Sequence, residues 1–419
     1  MDRLFNNLKH VLSANVITGL VNFLSTVWFA RKLGPEIMGQ FAVLLVVIQM
    51  LTAFLTPGFN QAIIRNPSRN TLATAATFAT FLQSLVMIGA SAILYGMVYW
   101  VSNQHVANLL LPGIGMLASA VMSLWMYLLA VPFEAGLDYR SLVYIRIVAL
   151  MVSIVTGVLA VEAGFGLYAL VIRDLVFSLA SLIILRSKSP FPLIWEGWRE
   201  GISPLFRFAR GLWPLNILER LVLRLDYAMV GLLFDIETLG IYFAVRGIVE
   251  GALGFTLSPI QTVLYAYYCR LPNINVVSIT ILRKDLLLLV GLATTAVIAV
   301  LHVTGDWIVA TTLGIQYSRG YVLLDGLVLY AVSVAWFEHI KVLTMSQDNH
   351  HSMMLARMVQ LMLSVALVFP LVRYLGLMGA GLSAGIAAAA MAGLSMWILA
   401  KAFPIGTGDF RPDSVIVHS

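Results

Sequence analysis

The stretch GLWPLNILERLVLRLDYAMVGLLF at positions 211–234, followed one short turn later by GIYFAVRGIVEGALGFTLSPIQTVL at 240–264, decides how this chain is read. Each is an apolar run of the roughly 20 residues that a helix needs to cross a bilayer. Yet Glu219, Arg220, Arg224, Asp226, Arg246 and Glu250 sit inside them. A charge at the bilayer centre costs at least ~2.5–3.5 kcal/mol, so such residues normally face a protein interior or a water-filled cavity. The hairpin is therefore expected to line a cavity whose walls the rest of the chain supplies.

Composition agrees with a membrane setting. Of 419 residues, 60% are hydrophobic and 11% charged, with a mean hydropathy of +0.92; a soluble domain carries about 25% charged residues. The apolar runs are too long for barrel strands, so the fold class is an all-α polytopic membrane protein. Twelve candidate spans are read at 11–33, 40–64, 72–101, 109–131, 141–162, 167–186, 211–233, 240–264, 283–303, 321–343, 353–374 and 376–400. Most of the 26 lysines and arginines, among them Arg65, Arg140, Lys188, Arg270, Lys341 and Arg357, fall on the side of the N-terminus. The positive-inside rule then puts both termini in the cytoplasm. The first span lacks a small-residue cleavage site and is expected to be retained.

Several classes drop out. Cys269 is the single cysteine, so no intrachain disulfide forms. The net charge of +6 lies in no basic patch interleaved with aromatics outside the spans, which argues against nucleic acid. No Walker A sequence is present, and Gly164-Phe-Gly166-Leu-Tyr-Ala169 opens a span without a preceding strand, so it is no dinucleotide site. His302 with Asp306, and His350-His351, lack metal-ligand spacing. No cofactor or metal is expected, and outward loops of about twenty residues or fewer leave little room for an enzyme active site.

The chain divides into two halves. Residues 1–186 form an N-terminal lobe of six spans, 187–210 an interfacial connector with Trp195 and Trp198, 211–400 a C-terminal lobe of six spans, and 401–419 a cytoplasmic tail. A weak internal repeat links the halves. Glu36-Ile-Met-Gly39-Gln-Phe41 matches Glu237-Thr-Leu-Gly240-Ile-Tyr242 at a displacement of 201, and Gly166-Leu167 and Asp138 match Gly376-Leu377 and Asp348 at 210. Six spans per half preserve orientation, so the repeat is parallel, about an axis along the membrane normal.

At 1.5 Å per residue, Asp226 and Arg246 lie at similar depth from the 234–240 turn, as do Arg224 and Glu250. Asp226–Arg246 and Arg224–Glu250 are thus the expected pairs, with Glu219 and Arg220 deeper. These charges either neutralise one another or contact a substrate or ion. The first hairpin offers Asn15, Asn22, Ser25 and Trp28, suited to sugar hydroxyls and faces or to interhelical hydrogen bonds. Arg173-Asp174 reads as a snorkelling interface pair, and Asp325 as a lone acid a few residues inside span ten. Gly247 with Gly251, and Gly379, Gly381 and Gly385, read as close helix contacts.

Two of these regions also carry a resemblance. Ala30-Arg31-Lys-Leu33-Gly34-Pro35 with Gly39-Gln-Phe41-Ala42 resembles the first-hairpin motif of Wzx-type polysaccharide flippases, in the multidrug/oligosaccharidyl-lipid/polysaccharide exporter superfamily. Arg224-Leu-Asp226, Gly231 and Leu239-Gly240-Ile-Tyr242-Phe-Ala244 resemble that family's seventh-span motif. The resemblance implies a V-shaped pair of six-helix lobes, with a central cavity between them, in the bacterial inner membrane. It implies flipping of an undecaprenyl-diphosphate-linked oligosaccharide by alternating access, with polysaccharide polymerase and chain-length proteins as partners. Arg220, Arg224 and Arg246, with Asn22 and Trp28, would then contact substrate, and Glu219, Asp226 or Glu250 would bind a coupling proton or sodium ion. The rivals are a cation-coupled multidrug exporter, a membrane glycan polymerase or ligase, and a scaffolding protein.

Overall fold

The computed structural model describes residues 2–65, 70–102, 107–136, 138–191, 193, 196–251, 303–345 and 350–402. Among them every regular element is a helix. In chain order these are α1 (Asp2–Leu55), α2 (Phe59–Arg65), α3 (Asn70–Ser102), α4 (Ala107–Ala135), α5 (Tyr139–Glu162), α6 (Leu167–Lys188) and α7 (Trp198–Leu233). There follow α8 (236–251), α9 (303–312) and a 3₁₀ segment (Ile315–Leu323). The chain ends with α10 (Leu324–Met345), α11 (His350–Leu375) and α12 (Leu377–Ala402). Among the described residues, 8 helices are long and apolar enough to cross a membrane. Their exposed side chains include Leu82, Leu85, Leu159, Met362 and Phe369, as contact with lipid favours. The chain is a multi-pass membrane protein.

α1 contains two passes. Its 54 residues would run ~80 Å as one rod, more than twice the bilayer core. Gly34 breaks it at φ 82°, ψ 168°, a conformation that only glycine adopts cheaply, and Pro35 follows. Asn22, 12 residues before the break, and Gln49, 15 after it, both reach cavities walled by Ser119 and Ser123, so the chain has turned back on itself. The second pass differs from the expected 40–64 span. It stops at Leu55, and Pro57 and Gly58 separate it from α2.

The connector is shorter than expected. α6 runs to Lys188 and α7 begins at Trp198, so residues 198–210 are helical and the break between helices is 189–197. Trp198 stacks on Phe78 of α3 with ring centroids 3.9 Å apart. α7 thereby packs against α3 and α1 of the first half and α11 of the second. It is the helix that joins the two halves. Phe234 ends it, and Asp235 caps α8 by accepting from the Thr238 N–H at 3.1 Å. The Thr238 hydrogen bonds hold the Asp235 carboxyl below the usual carboxylate range.

The repeat is visible in the packing of the helices. Gly166 (φ 54°) and Gly376 (φ 58°) precede α6 and α12, each with the positive φ that favours glycine. α6 packs on α4 and α5 as α12 packs on α10 and α11. The first repeat motif meets the second directly. A methyl group at Gly39 would overlap the carbonyl of Ile236, and one at Gly240 would overlap that of Pro35. Since 35 and 236 are themselves 201 apart, the contact is reciprocal, as a two-fold relation demands. Beside it, Arg31 Nη1 donates to Thr311 O (3.2 Å), Gln316 Nε2 to Arg31 O (3.1 Å) and the Tyr317 hydroxyl to Ala30 O (2.9 Å). A single core spans this junction, from Phe29, Met38 and Phe41 to Tyr227, Tyr242 and Leu327. The two halves are thus clamped together at the Gly34–Phe234 end. Expected helix contacts at Gly381 and Gly385 are also present, against Gly326 of α10. Asp348 and the part of the eighth span beyond 251 lie outside the described residues, as does the ninth up to 302.

Candidate functional site

The six hairpin charges do not share one surface. Arg246 is 0% exposed on α8. It forms an ion pair with Asp226, as the depth match predicts. Its Nε donates to Glu250 Oε1 at 2.7 Å, and its Nη2 donates to the Tyr330 hydroxyl at 2.9 Å and to Leu223 O at 3.3 Å. The guanidinium carbon lies 4.7 Å from the Tyr227 ring centre and 4.6 Å from that of Tyr330. The Tyr242 hydroxyl donates to Asp226 Oδ2 at 2.5 Å. Planar, delocalised and rigid, arginine suits such a ring-flanked, doubly paired position. Every edge of the group is used.

The second expected pair differs. Glu250 bonds to Arg246, four residues back on its own helix, because i and i+4 side chains share a face. Arg224 instead lies 5.4 Å above the Tyr227 ring. Glu219 accepts from Lys341 Nζ of α10 at 2.8 Å. Lys341 also bridges to Glu338 (2.9 Å), which in turn pairs with the buried Arg357 of α11 at 2.7 Å. Arg357 Nη1 donates to Gln360 at 2.9 Å. In the sequence Lys341 and Arg357 were assigned to topology, as basic residues flanking cytoplasmic segments. The i, i+3 spacing of Glu338 and Lys341 was the available signal of a pair.

Two cavities lie in the first half, one of them reaching Arg220 of α7. A cavity of about 530 Å³, within the size range of small-molecule sites, is bounded by Thr18, Gly19 and Asn22 of α1 and by Ser119 and Ser123 of α4. Arg146, Leu150 and Ser153 of α5 and Arg173, Asp174, Phe177 and Ser178 of α6 complete it. A second cavity of about 220 Å³ shares Ser119, Ser123 and Asp174 and continues to Gln49, Thr52 and Thr56 on the returning pass of α1. Arg220 of α7 lines its wall. Among sequence-expected residues, Asn22 and Arg220 reach this space. Trp28 lies outside both cavities, edge-on to Phe29 at 5.1 Å and beneath Lys32 at 5.8 Å. The side chain of Asn15 lies outside the described residues.

Arg173 and Asp174 are not a snorkelling pair at the lipid interface. Arg173 Nη2 donates to Asp174 Oδ1 at 2.9 Å, both are largely buried, and both face the cavity. Arg173 also stands 5.2 Å above Phe29. The wall is held by hydroxyls: Ser119 and Ser178 share a hydrogen bond of 2.8 Å across α4 and α6, and Ser119 donates to the Asp174 carbonyl at 3.0 Å. Lining charges are thus three guanidinium groups against one carboxylate. Such a wall suits an anionic, hydroxyl-rich ligand, since guanidinium pairs geometrically with carboxylate and phosphate oxygens. Asp325 sits in the first turn of α10, where helix N-terminal dipoles favour an acid. Among the described residues, no group of three metal-ligating side chains occurs.

Long apolar helices that repeat their packing in two halves, with polar cavities among those of the first, define the class as a polytopic helical membrane protein. The family described as Polysaccharide biosynthesis protein matches residues 28–321, and the chain belongs to it. Among solved structures, an inward-facing multidrug resistance MATE transporter of the MOP superfamily aligns with TM-score 0.68 at 13% identity, covering 96% of this chain and 100% of that one. The lipid II flippase MurJ, in an inward closed conformation, aligns at 0.69 and 11% identity over 93% and 87%. A MOP superfamily transporter from Pyrococcus furiosus aligns at 0.60 and 13% over 95% of each chain. The fold is therefore that of MOP superfamily transporters. A search of curated proteins gives no match.

Proposed function

We propose that this chain is a flippase that moves an undecaprenyl-diphosphate-linked oligosaccharide from the cytoplasmic to the periplasmic leaflet of the bacterial inner membrane by alternating access. The observation that carries the reading is the polar double cavity whose lining charges are three arginines and one aspartate. Arg220 stands on the helix that packs against both halves. A diphosphate needs clustered guanidinium donors, and sugars need hydroxyl partners; a lipid tail can stay in the bilayer. Membership of the polysaccharide biosynthesis family supports the same substrate class. The clamp at the Gly34–Phe234 end, periplasmic by the positive-inside rule, supports loading from the cytoplasm.

In this reading Arg220, Arg224 and Asn22 meet substrate, Trp28 frames the route and Arg246 organises the wall. Glu219 and Asp226 with Glu250 are held by Lys341 and Arg246. Uptake of a proton or sodium ion at one of these acids frees its cation and resets the lobes. Polymerase and chain-length proteins act on the delivered unit. A cation-coupled multidrug exporter is the rival; it would need an acidic or aromatic cavity, and the cationic wall disfavours it. The test replaces Arg220 with Ala in cells lacking the native copy. Lipid-linked repeat units should accumulate and surface glycan should fall at least ~10-fold, a loss of one strong charge-assisted contact. Normal surface glycan at full protein level overturns the reading. Drug efflux from the same cells decides for the rival.

A further inference from the structure

We infer that the 3₁₀ segment Ile315–Leu323 is a conformational strap at the Gly34–Phe234 end. Stretched, it ties the two halves together; rewound into the first turns of α10, it lets them part. The inference rests on the alternating-access reading and names the element that opens that end. A 3₁₀-helix has poorer hydrogen-bond geometry than an α-helix and rarely runs beyond three or four residues. Here it runs for 9. The sequence IQYSRGYVL does not demand it, since it holds no proline and only Gly320 strongly disfavours an α-helix. The segment is continuous with α10. Leu324 already has α-helical φ and ψ, while its N–H donates to Tyr321 O in the 3₁₀ pattern. At the other end Gly314, with φ 104°, breaks the helical path from α9.

Tertiary contacts keep the segment stretched, and two of them reach the first half. The Tyr317 hydroxyl donates to Ala30 O at 2.9 Å and Gln316 Nε2 to Arg31 O at 3.1 Å. Tyr317, Gly320 and Leu323 are buried, the spacing of a helix with three residues per turn. A methyl group at Gly320 would lie 2.7 Å from Cγ2 of both Ile241 and Val245 of α8. Per residue, a 3₁₀-helix rises ~2.0 Å and turns ~120°, against ~1.5 Å and ~100° for an α-helix. Tyr317 precedes Leu324 by seven residues, so rewinding draws it ~3.5 Å toward α10 and swings it ~140° about the axis. Both carbonyl contacts are then lost together. The swing brings Tyr317 into line with Leu324 and Val328, on a face that α10 already buries. The segment thus has two packed forms, and only the stretched one can hold the first half.

The experiment uses the full chain in nanodiscs, free of Cys269, with spin labels on I315C and W397C and their separation read by pulsed electron resonance. Both native side chains are exposed. α12 lies against Leu323 at Gly381, and Trp397 stands 16 residues further along it, so the pair reports the length of the segment. The rewound form should appear ~4.5 Å shorter than the stretched one. Y317F deletes one hydrogen bond to the first half, and G320A crowds α8 and favours an α-helix. Each should raise the ratio of short to long form about five-fold, and the two together about 25-fold. N22C, placed separately in each variant, should gain reactivity from the Gly34–Phe234 side in step with the short form. Y317F leaves the ring packing in place and carries the test alone if G320A does not fold. Gain of N22C reactivity without shortening overturns the inference and leaves alternating access intact. Variants that keep the wild-type distance distribution also overturn it. Equal N22C reactivity from both sides in otherwise wild-type protein overturns the alternating-access reading itself.

Discussion

Arg246 illustrates how a charge survives inside a membrane helix. Its guanidinium is fully buried, yet it faces Asp226, Glu250, two tyrosine hydroxyls and a backbone carbonyl. Removing one member of such a set leaves the others buried without a counter-charge, which costs about 3–5 kcal/mol. R246A should therefore lose most of its stability, read as a fall in melting temperature, before any transport defect can be assigned. Replacing the ion pair as a unit, with D226N and R246M together, should cost less than the sum of the single changes; additive losses would show the pair to be uncoupled. R220A, exposed at a cavity wall, should leave stability within about 0.5 kcal/mol of wild type. The Asp226–Arg246 pair was legible by counting residues from a turn. The partner of Glu250 was not, because depth matching ignores the competing i, i+4 neighbour on the same helix.

At the scale of elements, the two turns that meet at Gly39 and Gly240 depend on the absence of a side chain. Each glycine faces a backbone carbonyl, which cannot rotate out of the way as a long side chain would. G240A should push α8 away from the Pro35 turn and weaken the closed end. The measurement is reaction of a cysteine placed at Asn22, in a Cys269-free background, with an impermeant thiol reagent added from the side of the Gly34–Phe234 end, periplasmic in the proposed reading. Labelling should rise several-fold over the same protein with Gly240 intact. No change would mean that the polar contacts Arg31–Thr311, Gln316–Arg31 and Tyr317–Ala30 hold that end without the glycines. The repeat motif marked these glycines in the sequence as equivalent. That they touch each other, and not merely resemble each other, follows from the axis passing between the two hairpins.

For the whole molecule, the proposed flippase reading makes the Gly34–Phe234 clamp the closed, periplasmic end. Under that reading the same Asn22 cysteine should react readily with the impermeant reagent from the cytoplasmic side of inverted membrane vesicles, and slowly from the other. Equal labelling from both sides would remove the one-sided state. Neighbouring residues of α7 face opposite ways: Glu219 toward Lys341 in the second half, Arg220 toward the cavity of the first. In the proposed function, α7 is the element through which substrate and ionic state would communicate.

Hydrophobic length, the position of charges and the spacing of glycines lie along the chain, so the sequence alone determined the class, the paired passes and the two-fold repeat. Its opening hairpin was expected to line the cavity. Among the described residues Arg220 of that hairpin lines a cavity, while Asp226, Arg246 and Glu250 pair with one another. Arg146, Gln49, Ser119 and Ser123 gave no warning. A helix that is apolar around its circumference carries no periodic mark of which face turns inward. Rotation about each helix axis is set by packing between helices, through contacts such as Ser119–Ser178 and Gly326–Gly381. Which polar side chain meets water and which meets a partner is therefore decided only once all the helices are in place.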